Sequence, residues 1–153
     1  MESLIIFSAE RLHLVVVAIF LVYVCVSSQR IRLLFESVIA LPIAFITGRI
    51  LNMLIESPRP FVVEQIQPLV AHIPDNGFPS EHTLLVATLA FLIYSKNKNL
   101  GILILILAVI VGVGRVLANV HHGIDVLGGI TIAAFSVYVA QKIVNKIVTS
   151  QSD

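Results

Sequence analysis

Five apolar stretches, at residues 10–27, 33–55, 79–94, 100–118 and 121–143, restrict this chain more than anything else in it. A helix that crosses a bilayer needs about 20 mainly apolar residues, because hydrocarbon offers no partner to an unpaired backbone N–H or C=O. The composition agrees: 58% of the 153 residues are hydrophobic, only 12% are charged, and the mean hydropathy of +0.99 lies outside the range of soluble domains. The expected fold is all-α, an integral membrane bundle of about five transmembrane helices. It should form a single domain over residues 1–153, without linker, repeat or low-complexity segment. The opening MESLIIFSAER has neither the basic start nor the small-residue cleavage site of a signal peptide, so the first helix is expected to stay in the mature protein. The lone cysteine, Cys25, excludes an intramolecular disulfide, and a net charge of +1 gives no basis for a nucleic-acid partner.

Five spans sort the loops onto two faces. One face collects Arg30, Arg32, Lys96, Lys98, Lys142 and Lys146; the other holds Arg11, Arg59 and Arg115 among the acids Glu2, Glu10, Glu56, Glu64, Asp75 and Glu81. Loops rich in lysine and arginine stay in the cytoplasm, so the first face is expected inside and the second outside, in the cell membrane.

Three polar clusters fall on that outer face. In ESPRPF, residues 56–61, Arg59 sits between two prolines that limit the directions its guanidinium can take. In DNGFPSEHT, residues 75–83, Pro79 and Ser80 precede a long apolar run, which predicts a helix with Ser80 as N-cap. The N–H groups of Ser80, Glu81 and His82 would then lie unpaired at the positive end of the helix, a ready site for an anion, with His82 at its edge. Glu81 argues against an anion there unless its carboxylate turns away. In GRVLANVHHGID, residues 114–125, His121 and Asp125 are four apart, so the carboxylate can orient one imidazole nitrogen while the other faces outward. Arg115, six residues before His121, can meet it only if the helix breaks between them. A rival reading of His121, His122 and Asp125 is a metal site.

Taken together, two arginines, two histidines and an aspartate at one membrane face point to a functional site. Guanidinium forks and a helix N-terminus suit a phosphate, and two histidines with distinct partners can supply a nucleophile and an acid. The substrate so described has an apolar tail and a phosphorylated head.

These residues resemble the type 2 phosphatidic acid phosphatase superfamily, whose three-part motif is K-x6-RP, PSGH and SR-x5-H-x3-D. The chain has N-x6-RP from Asn52 to Pro60, PSEH from Pro79 to His82, and GR-x5-H-x3-D from Gly114 to Asp125, with every spacing intact. Its surroundings, with FPSEHT at residues 78–83 and HHGIDVLGG at residues 121–129, are most similar to undecaprenyl-diphosphatases of the bacitracin-resistance type. The resemblance implies a membrane lipid phosphatase that needs no cofactor or metal. It would hydrolyse undecaprenyl diphosphate; a lipid A 1-phosphatase, a phosphatidylglycerophosphate phosphatase, or a non-catalytic lipid-phosphate binding or transport protein are the alternatives. It also implies roles: His121 as nucleophile forming a phosphohistidine, Asp125 orienting it, His82 as acid and then base. Arg59, Arg115, Ser80, Glu81 and Asn52 would bind phosphate, which vanadate should mimic.

Three positions depart from the motif. Asn52 stands in place of lysine, so that either Asn52 bonds phosphate neutrally or Arg49, one turn earlier, supplies the charge. Glu81 replaces glycine, and Gly114 replaces a serine hydroxyl. Elsewhere, His13 is expected to be structural, His122 to point away from His121, His72 to line an entrance, Pro42 to bend its helix, and residues 62–73 to form a short interfacial helix.

Overall fold

The computed structural model describes residues 1–150, and among these the regular elements are all helices. They are α1 (Glu2–Glu10), α2 (Leu12–Val26), α3 (Arg30–Leu54), the single turn α4 (Pro60–Val63), α5 (Glu81–Tyr94), α6 (Lys98–Leu117) and α7 (Gly123–Ser150). Three of them, α3, α6 and α7, are each long and apolar enough to cross a bilayer, and α1 with α2 makes a fourth apolar unit bent by 45° at Arg11. The chain is a membrane protein. On α6, Ile102, Leu103, Ile106, Val109, Ile110 and Val113 recur every three or four residues and are exposed. Such a stripe would drive aggregation in water, whereas in a bilayer it is the surface that lipid covers.

The span expected at residues 79–94 is α5, which has only 14 residues, about 21 Å at the helical rise and well short of hydrocarbon thickness. Its surroundings explain why that suffices. It packs against α2, α3, α6 and α7, and Val86, Ala87, Ala90, Leu92 and Ile93 are fully buried, so protein rather than lipid encloses it. A tight turn leads from α5 into α6. There Asn97 caps α6, accepting the Leu100 N–H at 3.1 Å, and Gly101 lies so near the Tyr94 backbone that a Cβ would fall 2.2 Å from its Cα.

Gly114, where the motif has serine, has an equally physical cause. A Cβ there would lie 2.2 Å from Ser8 Oγ and 3.0 Å from the Ala9 backbone nitrogen, because α1 rests on α6 at this point. The absence of any side chain at Gly114 is what lets α1 lie against the bundle. α3 runs unbroken through Pro42. The expected interfacial helix at residues 62–73 is not formed, since regular structure stops at Val63. The rest of the stretch is loop, pinned by the Leu69 N–H to the Ala118 carbonyl and by burial of Val70 against Ala9, Ala118 and Val120. Those long-range anchors outweigh the local amphipathic pattern.

At the end of the bundle away from the three clusters, Glu36 is fully buried. Its Oε1 receives Lys96 Nζ at 2.7 Å and Arg32 Nε at 2.9 Å, and Arg32 also donates to the Asn145 side chain. This knot ties α3, the α5–α6 turn and α7 together.

Candidate functional site

The helix break predicted between Arg115 and His121 is made at Asn119, which adopts φ 62°, a left-handed conformation that asparagine tolerates better than most side chains. The reversal brings Arg115 Nη2 to 3.4 Å from His121 Nε2. From the other side Arg59, at the N-terminal edge of α4, places Nη1 3.2 Å from the same nitrogen. Nδ1 of His121 lies 3.5 Å from Asp125 Oδ2. With the ring proton on Nδ1 toward that carboxylate, Nε2 presents a lone pair between two guanidiniums.

Asp125 is held in turn by three elements. Ser57 Oγ donates to its Oδ1 at 2.7 Å, and its Oδ2 accepts the His122 N–H at 2.8 Å, reaching back as the acid of a capping box does. Its backbone carbonyl accepts the Ser80 N–H at 3.0 Å. That last bond corrects one expectation. Ser80 occupies the N-cap position of α5, but its N–H is spent on α7 and its hydroxyl meets Thr83 Oγ1 at 3.0 Å rather than capping the backbone. The free donors at this helix start are those of the first turn proper, beginning with Glu81 and His82.

The sequence pattern gave no reason to single out Ser57, Asp75 or Asn76, and each holds a site residue. Asp75 Oδ1 accepts Arg59 Nε at 2.7 Å while the Val120 carbonyl accepts Nη1 at 2.7 Å, so the guanidinium is fixed at both edges. Burial alone would raise the Asp75 pKa; the hydrogen bond and charge of Arg59 prevail and hold it below the usual carboxylate value. Asn76 closes the end of α3, donating to the carbonyls of Asn52 and Ile55 and accepting the Ser57 N–H. Asn52 donates to the Phe78 carbonyl at 2.6 Å, so one of its two amide hydrogens serves the loop. Gly77 fits tightly, because a Cβ would sit 3.0 Å from Asp125 Oδ2 and 3.1 Å from the Ser57 carbonyl and one of these would have to shift.

The result is a cavity of about 410 Å³ into which Arg59, His82, Arg115 and His121 all face, with Asn52, Glu81, Arg49 and His72 on its wall. Arg59, Arg115 and His121 are each no more than 5% exposed, and the Arg115 Nε is buried without a hydrogen-bond partner. His82 reaches the cavity from the start of α5, its ring edge-on to that of His13 at 4.4 Å between centroids, which gives His13 the neighbour the sequence did not reveal. His122 turns its Nε2 to the Pro58 carbonyl at 3.0 Å, so His121, His122 and Asp125 do not converge as metal ligands would. Burial lowers the His121 pKa below the ordinary imidazole value. The Asp125 hydrogen bond opposes this and the two arginines reinforce it. His72 is lowered by burial and then by Arg59.

On the reading that Asp125 orients His121 as the nucleophile, Ser57→Ala should lower kcat roughly tenfold, the scale of one hydrogen bond to a charged group, with KM little changed, because the Ser57 hydroxyl meets the site only through Asp125. Steady-state kinetics reads this directly, and an equal rise in KM would mean that Ser57 acts on binding instead.

A second cavity, apolar and of about 340 Å³, runs between α3 and α5 along Leu41, Ala44, Phe45, Leu84 and Leu85. It shares Arg49, Asn52, Pro79 and Glu81 with the first, so the two adjoin at these residues.

Comparison with known proteins bears on this arrangement. The chain is 38% identical over 101 residues to the bacitracin transport permease protein BcrC of Bacillus licheniformis, covering 65% of this chain and 50% of that protein. It is 32% identical over 92 residues to the undecaprenyl-diphosphatase BcrC of Bacillus subtilis, covering 58% and 48%. It thus spans about half the length of these curated relatives. The crystal structure of Aquifex aeolicus LpxE superimposes with a TM-score of 0.73 over 92% of this chain and 82% of that one at 18% identity, a likeness of fold. The sequence pattern of the PAP2 superfamily matches residues 33–148, a stretch that takes in every residue lining the cavity, and the chain belongs to that superfamily.

Proposed function

We propose that this protein is a membrane lipid phosphatase that hydrolyses undecaprenyl diphosphate to undecaprenyl phosphate and inorganic phosphate, with its site on the extracytoplasmic side. The observation that carries the reading is the placement of His121 Nε2 between two buried guanidiniums, in a cavity that adjoins an apolar groove. The phosphoryl group to be transferred sits against Nε2, its oxygens held by Arg59, by Arg115 including its unpartnered Nε, and by the free N–H groups at the start of α5. The Nε2 lone pair attacks phosphorus, the bond from phosphorus to the bridging oxygen breaks, and His82 gives a proton to that oxygen. Positive charge left on the imidazole is balanced by Asp125. Water then attacks the phosphohistidine, loses its proton to His82, and the P–N bond breaks to release phosphate. The arginines act mainly by electrostatics, because charge accumulates on the equatorial oxygens of a loose transition state.

The diphosphate is favoured by the Bacillus subtilis relative, and the sidedness by the excess of lysine and arginine on the opposite loops. A transport role is the second reading, favoured by the name of the Bacillus licheniformis relative. The test is phosphate release by the detergent-purified protein, with EDTA present, from undecaprenyl diphosphate, lipid A 1-phosphate and phosphatidylglycerophosphate side by side. Highest efficiency on the first supports the reading. Preference for another lipid replaces the substrate, and binding without release from any favours the transporter.

The pH profile follows from the same geometry. His121 must be neutral to attack, and its pKa is depressed, so the acid limb of kcat/KM should lie below the ordinary imidazole value of about 6.5. The limb that belongs to His121 is retained as pH falls to that value and is lost as pH falls through the depressed pKa; the proton that His82 must donate is lost as pH rises and sets a separate limb. A nucleophile limb above the ordinary value would contradict the assignment.

A further inference from the structure

A lipid diphosphate places two phosphates in a row between its tail and its reactive end. If the distal phosphate lies against His121 and the tail in the groove between α3 and α5, as the proposed function has it, the proximal phosphate must lie where the cavity and the groove meet. Four residues line both: Arg49, Asn52, Pro79 and Glu81. One of the four is a cation. Arg49 Nη1 lies 3.6 Å from Glu81 Oε1, with the two side chains 54% and 70% exposed. So loose and open a pair contributes little to stability, and it leaves most of the guanidinium's donors facing the junction.

We propose that Arg49 receives the proximal phosphate and thereby selects diphosphates over monophosphates, with Glu81 as the positioning residue that keeps the guanidinium at the junction. In cleavage of the diphosphate the leaving group is itself a phosphate, whose charge grows as the bridging bond breaks, and Arg49 is placed to neutralise it. In a lipid monophosphate the leaving oxygen is an alkoxide attached directly to the tail, so no phosphate occupies the junction. The inference also gives a joint reason for two departures from the motif. The acid at position 81 holds Arg49, and a neutral Asn52 leaves the junction to a single cation.

The experiment measures kcat/KM of the purified full chain, with EDTA, for undecaprenyl diphosphate and for phosphatidic acid, in wild type, Arg49→Ala, Arg49→Gln, Arg49→Lys and Glu81→Gln. Loss of a hydrogen-bonded contact to a charged group predicts that the diphosphate to monophosphate ratio falls roughly tenfold to a hundredfold in Arg49→Ala and Arg49→Gln. Lysine should restore part of it, because it supplies charge without the fork. Glu81→Gln should move the ratio in the same direction by less. A general defect in folding would lower both substrates together and leave the ratio where it was, so two neutral variants with an unchanged ratio overturn the inference while the diphosphatase reading stands. A wild type that hydrolyses phosphatidic acid but not the diphosphate overturns both.

Discussion

Replacing His121 with alanine will reduce phosphate release by roughly a thousandfold or more, the scale on which removal of a nucleophile is felt. The ring cannot be replaced by a neighbour. His82 enters the cavity from α5 and has no carboxylate partner among the described residues, and His72, whose ring centroid is 6.1 Å from that of His121, has Asp75 Oδ1 at 3.9 Å from its Nδ1, but that oxygen is already taken by Arg59 Nε at 2.7 Å. What survives is the anion site, since Arg59 is held by Asp75 and the Val120 carbonyl independently of the imidazole. The variant should therefore still bind substrate, and orthovanadate should still compete for it. Release near the wild-type rate would remove His121 from the mechanism, and loss of binding together with release would mean that the substitution had collapsed the cavity rather than the chemistry.

The second large effect is on stability, at the opposite end of the bundle. Glu36→Ala leaves the Lys96 ammonium, with only 4% of its side chain exposed, without its anion, and breaking a buried pair in this way costs about 3–5 kcal/mol. For a chain of this size that amounts to a fall in melting temperature of about 10 °C, read by circular dichroism in detergent. The double variant Glu36→Leu with Lys96→Leu should recover most of the loss, because two apolar side chains of similar volume replace both charges. Arg32, already 44% exposed, can turn to solvent. A double variant no more stable than Glu36→Ala would show that the knot holds α3, the α5–α6 turn and α7 in register by more than its charge.

The apolar runs placed the helices because the bilayer demands length and hydrophobicity together, a local property that a sequence displays openly. α5 escaped that rule by being enclosed. The cluster that lines the cavity was legible for a related reason, in that Arg59, His82, Arg115 and His121 are chemically out of place among apolar helices, and fixed spacings join them. Their supports were not. Ser57, Asp75 and Asn76 look like ordinary loop residues until folding sets Ser57 against Asp125, 68 positions away, and Asp75 against Arg59. The same distance in sequence hid the bond from the Ser80 N–H to α7, and the anchors that keep residues 64–80 as loop rather than helix. The opening acid and amide of DNGFPSEHT belong to this class: one steadies an arginine, the other finishes a helix.

Because α5 is wrapped by its neighbours, His82 and the first turn beside it answer to side-chain packing and not to the hydrocarbon slab. A thicker or thinner bilayer acts on α3, α6 and α7, which can tilt to meet it at a cost of fractions of a kcal/mol per Å. The cavity is thereby insulated from hydrophobic mismatch, and phosphate release should vary little with acyl-chain length in reconstituted vesicles.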